Sequence, residues 1–143
     1  ADGGAAGDGQ VAALECHGTG TPLGDPIELG GVAAVLARAG RGAFSGKLAL
    51  GSVKSNIGHS DSAAGLSGLL KVLRCCSGAG GGGTDGALPP FLHLRQLNPH
   101  VSLSSGEAQR LDFATEIAHF AASQDRRACG LVASWGFGGT NAH

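Results

Sequence analysis

The feature that most restricts the fold is a plan that occurs twice in the first half of the chain. Two short apolar runs each end in a polar turn, and each turn leads into a stretch of helical period. The first run, Val11-Ala-Ala-Leu-Glu-Cys16, reads as a buried strand. It breaks at His17-Gly-Thr-Gly-Thr-Pro22, a string of turn formers. A helix start follows at Asp25-Pro26-Ile27-Glu28, with Asp at the N-cap, Pro at the first helical position and Glu placed for a capping box. Leu29, Val32, Ala33 and Leu36 keep the period until the stretch from Gly40 to Gly46. The second strand is Leu48-Ala-Leu-Gly-Ser-Val53, its loop Lys54 to Ser60, and Ser60 or Asp61 caps a second helix. In that helix Leu66, Leu69, Leu70 and Leu73 stand at i, i+3, i+4 and i+7, an amphipathic spacing. Two strand–loop–helix units in succession favour a layered α/β fold with strands buried on both faces.

The remainder is less regular. Residues 1–10 read as a flexible lead-in, and residues 77–87, with six glycines, as a surface loop insertion. A polar, proline-bearing stretch runs from Pro89-Pro90 to about Gly106. Asp112 to Phe120 fits a short strand or a helix equally well. Cys129-Gly-Leu-Val-Ala-Ser134 is a third strand that opens into the glycine-rich Trp135 to His143. One more strand is expected beyond that point, and with no initial methionine both ends are expected to be cuts in a longer chain.

Composition bounds the function. At 143 residues, 42% hydrophobic and 15% charged, the chain suits one globular domain. A net charge of -1 argues against a nucleic-acid partner. No apolar run approaches the ~20 residues of a membrane span. Cys16, Cys75, Cys76 and Cys129 lack a disulfide-framework spacing, so reduced thiols in an intracellular, cytoplasmic setting are expected. No pair of them has structural-zinc spacing with His17 or His59, so no metal site is expected.

The candidate chemistry lies where the strands end. His17 follows the first strand and His59 precedes the second helix, and ligands of open α/β sheets bind at that end. Lys54 lies in the same loop as His59. A helix N-terminus and a nearby ammonium both disfavour imidazolium, and a neutral imidazole can donate a hydrogen bond to a developing oxyanion. Gly46-Lys47-Leu48 fails the phosphate-loop pattern, and no Gly-x-Ser-x-Gly elbow occurs.

Glu15-Cys-His-Gly-Thr-Gly-Thr-Pro-Leu-Gly-Asp-Pro-Ile-Glu28 resembles the first histidine motif of β-ketoacyl synthases. Gly51-Ser-Val-Lys-Ser-Asn-Ile-Gly-His59 resembles their lysine-and-second-histidine motif, and Asn98-Pro-His100 and Trp135-Gly-Phe-Gly-Gly-Thr-Asn-Ala-His143 resemble two later signatures. The wording leans toward the polyketide-synthase type. The resemblance implies a thiolase-like layered α/β/α fold, of which this is the C-terminal half with the last strand missing. It implies a decarboxylative Claisen condensation between an acyl thioester and a malonyl group carried on the phosphopantetheine of an acyl carrier protein, with no cofactor bound by the domain itself. It implies catalytic roles for His17, His59 and Lys54, contacts to the pantetheine arm or substrate from Thr19, Thr21, Asn56 and Gly138, and a gating role for Phe137. Thr21 and Asn56 serve equally well as turn-ordering residues. The implied partners are the carrier protein, the N-terminal half of the same synthase domain, and a second copy in a homodimer.

The chain departs from the family because none of its four cysteines lies in the context of the nucleophile's motif (Cys75 and Cys76, although Ser77 follows, read as thiols at a helix end), so this segment alone is expected to be inactive. Trp135 stands where Phe is commoner, and Ser60-Asp61 where Thr or Leu and Glu are commoner. The alternative reading is a non-catalytic condensing-like subunit that supports carrier-protein docking or chain length. A third is a partial gene product.

Overall fold

A computed structural model describes residues 9–39, 43–77, 85–121, 127–136 and 138–143. Strands β1 (Gly9–Glu15) and β2 (Phe44–Gly51) take the two apolar runs, and helices α1 (Gly24–Arg38) and α3 (Ala64–Cys76) follow them. Between β2 and α3 lie the one-turn helix α2 (Lys54–Ile57) and a 3₁₀ turn at Asp61–Ala63. Then come β3 (Asp85–Leu88), α4 (Ser105–Arg110), β4 (Leu111–Phe113), β5 (Ala118–Ala121), β6 (Arg127–Val132), and the short β7 (Ser134–Trp135) and β8 (Asn141–Ala142). The main sheet has order β4-β2-β1-β6 and is parallel throughout. β3 pairs antiparallel with β5, and β7 with β8.

Alternation along the strands sends side chains to two different layers. Leu14, Cys16, Leu48 and Leu50 join Leu29 and Leu36 of α1 on one face. Ala13 and Ala49 join Cys75 of α3 and Leu88 on the other. The first face is filled by large side chains and the second, Leu88 apart, by small ones, so α3 sits close against the sheet. A Cβ at Gly130 of β6 would overlap Val72 Cγ1 and stand 3.1 Å from Cys76 Sγ. Val72 is β-branched and buried, so it has no room to swing away. Gly130→Ala is therefore expected to cost about 1–3 kcal/mol by overpacking. A lowered denaturant midpoint in the synthase that carries this segment checks this; an unmoved midpoint counts against the close fit.

Several expectations change. The leucines of α3 do not face the sheet: Leu66, Leu69, Leu70 and Leu73 are 60%, 43%, 58% and 53% exposed, and the buried stripe is Ala64, Gly68, Val72 and Cys75. Asp25 is not the N-cap of α1. The helix begins at Gly24 with Leu23 in that position and no side-chain cap. Neither Ser60 nor Asp61 caps by its side chain. The Lys54–Ser60 loop contains a helical turn. The glycine-rich insertion ends earlier than expected, because Asp85–Leu88 pairs with β5; residues 78–84 lie outside the described residues. Gly9 and Gln10 of the lead-in belong to β1, and residues 1–8 lie outside the described residues. Asp112 to Phe120 holds parts of two strands, and Trp135 to His143 closes a short hairpin. Helix α4 was not expected. Its capping box joins Ser104 and Glu107 in both directions.

Candidate active site

The first histidine loop leaves β1 and turns back onto α1. Its amides have lost their sheet partners and need acceptors. Glu28, buried in the second turn of α1, supplies them: Oε1 accepts the N–H of His17 at 2.7 Å and Oε2 that of Gly18 at 3.0 Å. Asp25 Oδ1 accepts the N–H of Gly20 at 3.1 Å. The two acidic residues thus grip the turn instead of capping the helix, while the helix N-terminus offsets their charge. Gly18 holds φ +48, and a Cβ there would stand 2.7 Å from Ser52 Oγ. The closeness serves a bond, because the Ser52 hydroxyl donates to the Gly18 carbonyl at 3.2 Å and joins the two loops.

The second loop leaves β2 through Ser52 and Val53, makes the α2 turn from Lys54, and reverses at Gly58 before His59. The structure brings the two imidazoles together, with ring centroids 6.1 Å apart and planes at 87°. Both rings receive a backbone donor at the same nitrogen. His59 Nδ1 accepts the N–H of Asp61 at 2.9 Å, and His17 Nδ1 accepts the N–H of Trp135 at 3.3 Å. A neutral imidazole that accepts at Nδ1 carries its proton on Nε2. Each ring is left with one N–H to donate elsewhere. Asp61 reaches its position with φ +46, a left-handed conformation that Asp tolerates better than most residues.

Burial lowers the pKa of His17, and the Lys54 ammonium pushes it further down against the opposing pull of Glu28. Lys54 is itself half-buried, and desolvation lowers its pKa while Glu15 and Glu28 raise it. Cys16, beside His17, is no thiolate: burial drives its pKa well up, and Glu28 and Glu15 add to the effect. Burial also raises the Cys75 and Cys76 thiols.

The other expected residues fare unevenly. Thr19 is half-buried and near Gly24. Thr21 Oγ1 accepts the N–H of Gly24 at 3.0 Å, and the Thr21 carbonyl accepts from Asn98 Nδ2 at 3.1 Å, so both atoms order the turn. Asn56 Nδ2 donates to the Pro90 carbonyl at 3.1 Å, while its buried Oδ1 has no partner among the described residues. Gly138 lies in the exposed β7–β8 turn, and Phe137 lies outside the described residues. A cavity of about 370 Å³ is lined by Gly18, Glu28, Ser52 and Lys54 together with Phe91 and Leu97; neither His17 nor His59 lines it. Among the described residues no cluster of His, Cys, Asp or Glu could hold a metal ion, and no helix is long and apolar enough to cross a membrane.

Sequence reasoning missed Trp135 as a part of the site. Its backbone sets the His17 tautomer and its indole N–H donates to Glu28 Oε1 at 3.2 Å. The signal was the Trp itself, standing where a Phe has no N–H to give.

Paired imidazoles thus stand at the exits of adjacent parallel strands of a layered α/β fold, with a lysine in the second loop. Known proteins place the chain in one family. The family described as beta-ketoacyl synthase, C-terminal domain, matches residues 4–95. Polyketide synthase ThaG of Burkholderia thailandensis is 42% identical over 139 residues, which are 94% of this chain and 2% of that protein. The spectinabilin polyketide synthase system protein NorA of Streptomyces orinoci is 43% identical over 135 residues, 94% of this chain and 6% of its own. The ketosynthase from module 6 of the bacillaene synthase of Bacillus subtilis matches with TM-score 0.74 and 34% identity, over 92% of this chain and 22% of that one. An oxazolomycin ketosynthase domain of Streptomyces albus matches with TM-score 0.67 and 35% identity, over 92% and 21%. The chain belongs to the β-ketoacyl synthase family, as part of the C-terminal domain of the polyketide-synthase type. It spans a small fraction of the curated relatives and about a fifth of the solved ketosynthase chains.

Proposed function

We propose that this segment supplies the histidine half of a decarboxylative condensing site. A malonyl thioester on the phosphopantetheine of an acyl carrier protein enters with its carbonyl oxygen between His17 and His59. The bond to its carboxylate breaks, carbon dioxide leaves, and the electron pair moves into the thioester as an enolate. Both Nε2–H groups donate to the oxygen on which that charge grows. The enolate carbon then attacks an acyl thioester, whose thiolate leaves, and a β-ketoacyl product forms. Burial and, after it, the Lys54 ammonium favour the neutral form of His17. Thr19 and Thr21 contact the pantetheine arm, with the Thr21 hydroxyl proton still free to donate, Asn56 and Gly138 bind the substrate, and Phe137 gates the pocket. The observation that carries the reading is the 6.1 Å separation of two rings whose Nδ1 atoms both accept backbone N–H groups.

The acyl group sits on a cysteine from the N-terminal half of the domain, as the family resemblance implies; burial pushes the Cys16, Cys75 and Cys76 thiols away from thiolate. The segment alone is therefore inactive. The same half covers the exposed leucine stripe of α3, which would otherwise present four large apolar side chains at helical spacing to water. The intact synthase works as a homodimer.

The test is the pH dependence of carbon dioxide release from a malonyl thioester by the synthase that carries this segment. Protonating His17 at Nδ1 breaks its bond from Trp135 and spoils the donor geometry. Its folded pKa is lowered, so the neutral ring survives to lower pH than a free imidazole. The acid limb is expected below about 6.5, the ordinary imidazole value. A limb above that value, or no release at any pH, rejects the reading.

A further inference from the structure

We propose that the buried pair of Glu15 and Lys71 is a positioning device that holds the two histidine loops in register; this rests on the site reading above. Glu15 is the last residue of β1 and is 1% exposed. Its Oε2 lies 2.8 Å from Lys71 Nζ on α3, and the two side chains are 2% and 8% exposed. Among the described residues neither atom has a further hydrogen-bond partner. The other oxygen, Oε1, accepts the N–H of Val53, the residue before Lys54. The Glu15 carbonyl accepts the N–H of Ala133 at 2.9 Å, two residues before Trp135.

One residue therefore joins the exits of β1, β2 and β6, and through Lys71 it also holds the helix that follows His59. The surrounding sequence leaves space for the pair. A Cβ on Gly51 would stand 3.0 Å from Lys71 Nζ and 3.2 Å from Glu15 Oε2, and one on Gly68 would stand 3.1 Å from Glu15 Cγ. As a stabiliser such a pair is weak. Taking both charges out of water offsets their attraction, and Lys71 leaves donors unused. Its contribution is directional: a carboxylate fixed by Lys71 fixes the Val53 amide, and that amide starts the loop carrying Lys54 and His59.

Two double variants of the intact synthase separate positioning from mere packing. Glu15→Leu with Lys71→Met removes both charges and the acceptor for Val53. Glu15→Gln with Lys71→Met removes both charges and keeps a side-chain oxygen in place. Neither leaves a lone buried charge, so the Gln/Met variant is expected to keep a thermal midpoint near that of the parent, and the Leu/Met variant to show a modest fall from the one buried N–H of Val53 left without an acceptor. The Leu/Met variant is expected to lower kcat for malonyl-thioester decarboxylation by about tenfold or more, with KM within about threefold, because small misplacements of a donor carry large rate losses. Amide exchange is expected to speed up in residues 53–59 but not in residues 29–36 of α1. The Gln/Met variant is expected to stay within about threefold of the parent in kcat. The inference is overturned if the Leu/Met variant keeps parental kcat and exchange, if both variants lose activity alike, or if exchange rises equally in both segments. The exchange reads the loop whether or not the histidines catalyse. If His17→Ala and His59→Ala keep full decarboxylation while the Leu/Met variant still loosens residues 53–59, the site reading has failed and the positioning has not.

Discussion

Replacing His59 with alanine in the synthase that carries this segment is expected to slow malonyl-thioester decarboxylation by about 10²–10³-fold, the usual loss for one oxyanion donor. The Asp61 amide at His59 Nδ1 leaves Nε2–H as that ring's donor. The His17 ring, with its centroid 6.1 Å away, offers a second from the opposite loop. Charge on the thioester oxygen appears as carbon dioxide departs, so the lost bond acts mainly on kcat and little on KM. His17→Ala is expected to behave alike, and the double variant to lose much less than the product of the two, since donors that share one oxygen act as a unit. Loading of the acyl group should survive in both variants, because neither ring carries it. Carbon dioxide release under single turnover, read beside acyl loading, checks all three statements. A variant that loads normally and decarboxylates at the parental rate would falsify the assignment.

Much of this arrangement was legible in the sequence because it follows from order along the chain. Strand ends place His17 and His59 at one edge of the sheet, and glycine-rich turns let the loops approach. The face of α3 was not legible. Leu66, Leu69, Leu70 and Leu73 outweigh Ala64, Gly68, Val72 and Cys75 on any hydrophobicity scale, yet the smaller set is buried. What decides is the partner surface: Ala13, Ala49 and Gly130 leave so little height that only small residues fit beneath the helix. Helix α4 was visible as Ser104-x-x-Glu107, but no apolar run follows to draw attention to it. Strand β3 hid in glycine-rich sequence and exists because β5 pairs with it. The tautomer of His17 had no local signal at all, since its donor is a backbone amide 118 residues away.

Glu28→Ala tests the joint between fold and chemistry. The carboxylate receives the amides of His17 and Gly18 and the indole N–H of Trp135. Alanine leaves three donors facing a space where the acceptor was 9% exposed. Hydrogen bonds to a charged group contribute about 1.5–3 kcal/mol each, but these share one carboxylate, so a total near 2–5 kcal/mol is expected. Denaturant unfolding of the intact synthase reads that loss. Activity should fall too, by about 10–100-fold in kcat, as the turn that aims His17 relaxes. Glu28→Gln separates the two effects. With its amide oxygen in the Oε1 position it still accepts from His17 and Trp135, but its NH₂ meets the Gly18 N–H, so stability should fall between the parent and alanine. Glu28 raises the His17 pKa, and the neutral amide removes that pull. The acid limb of carbon dioxide release in Glu28→Gln is therefore expected at lower pH than in the parent. A limb that stays put, or moves up, would mean that Glu28 steadies the turn without setting the protonation of the ring it holds.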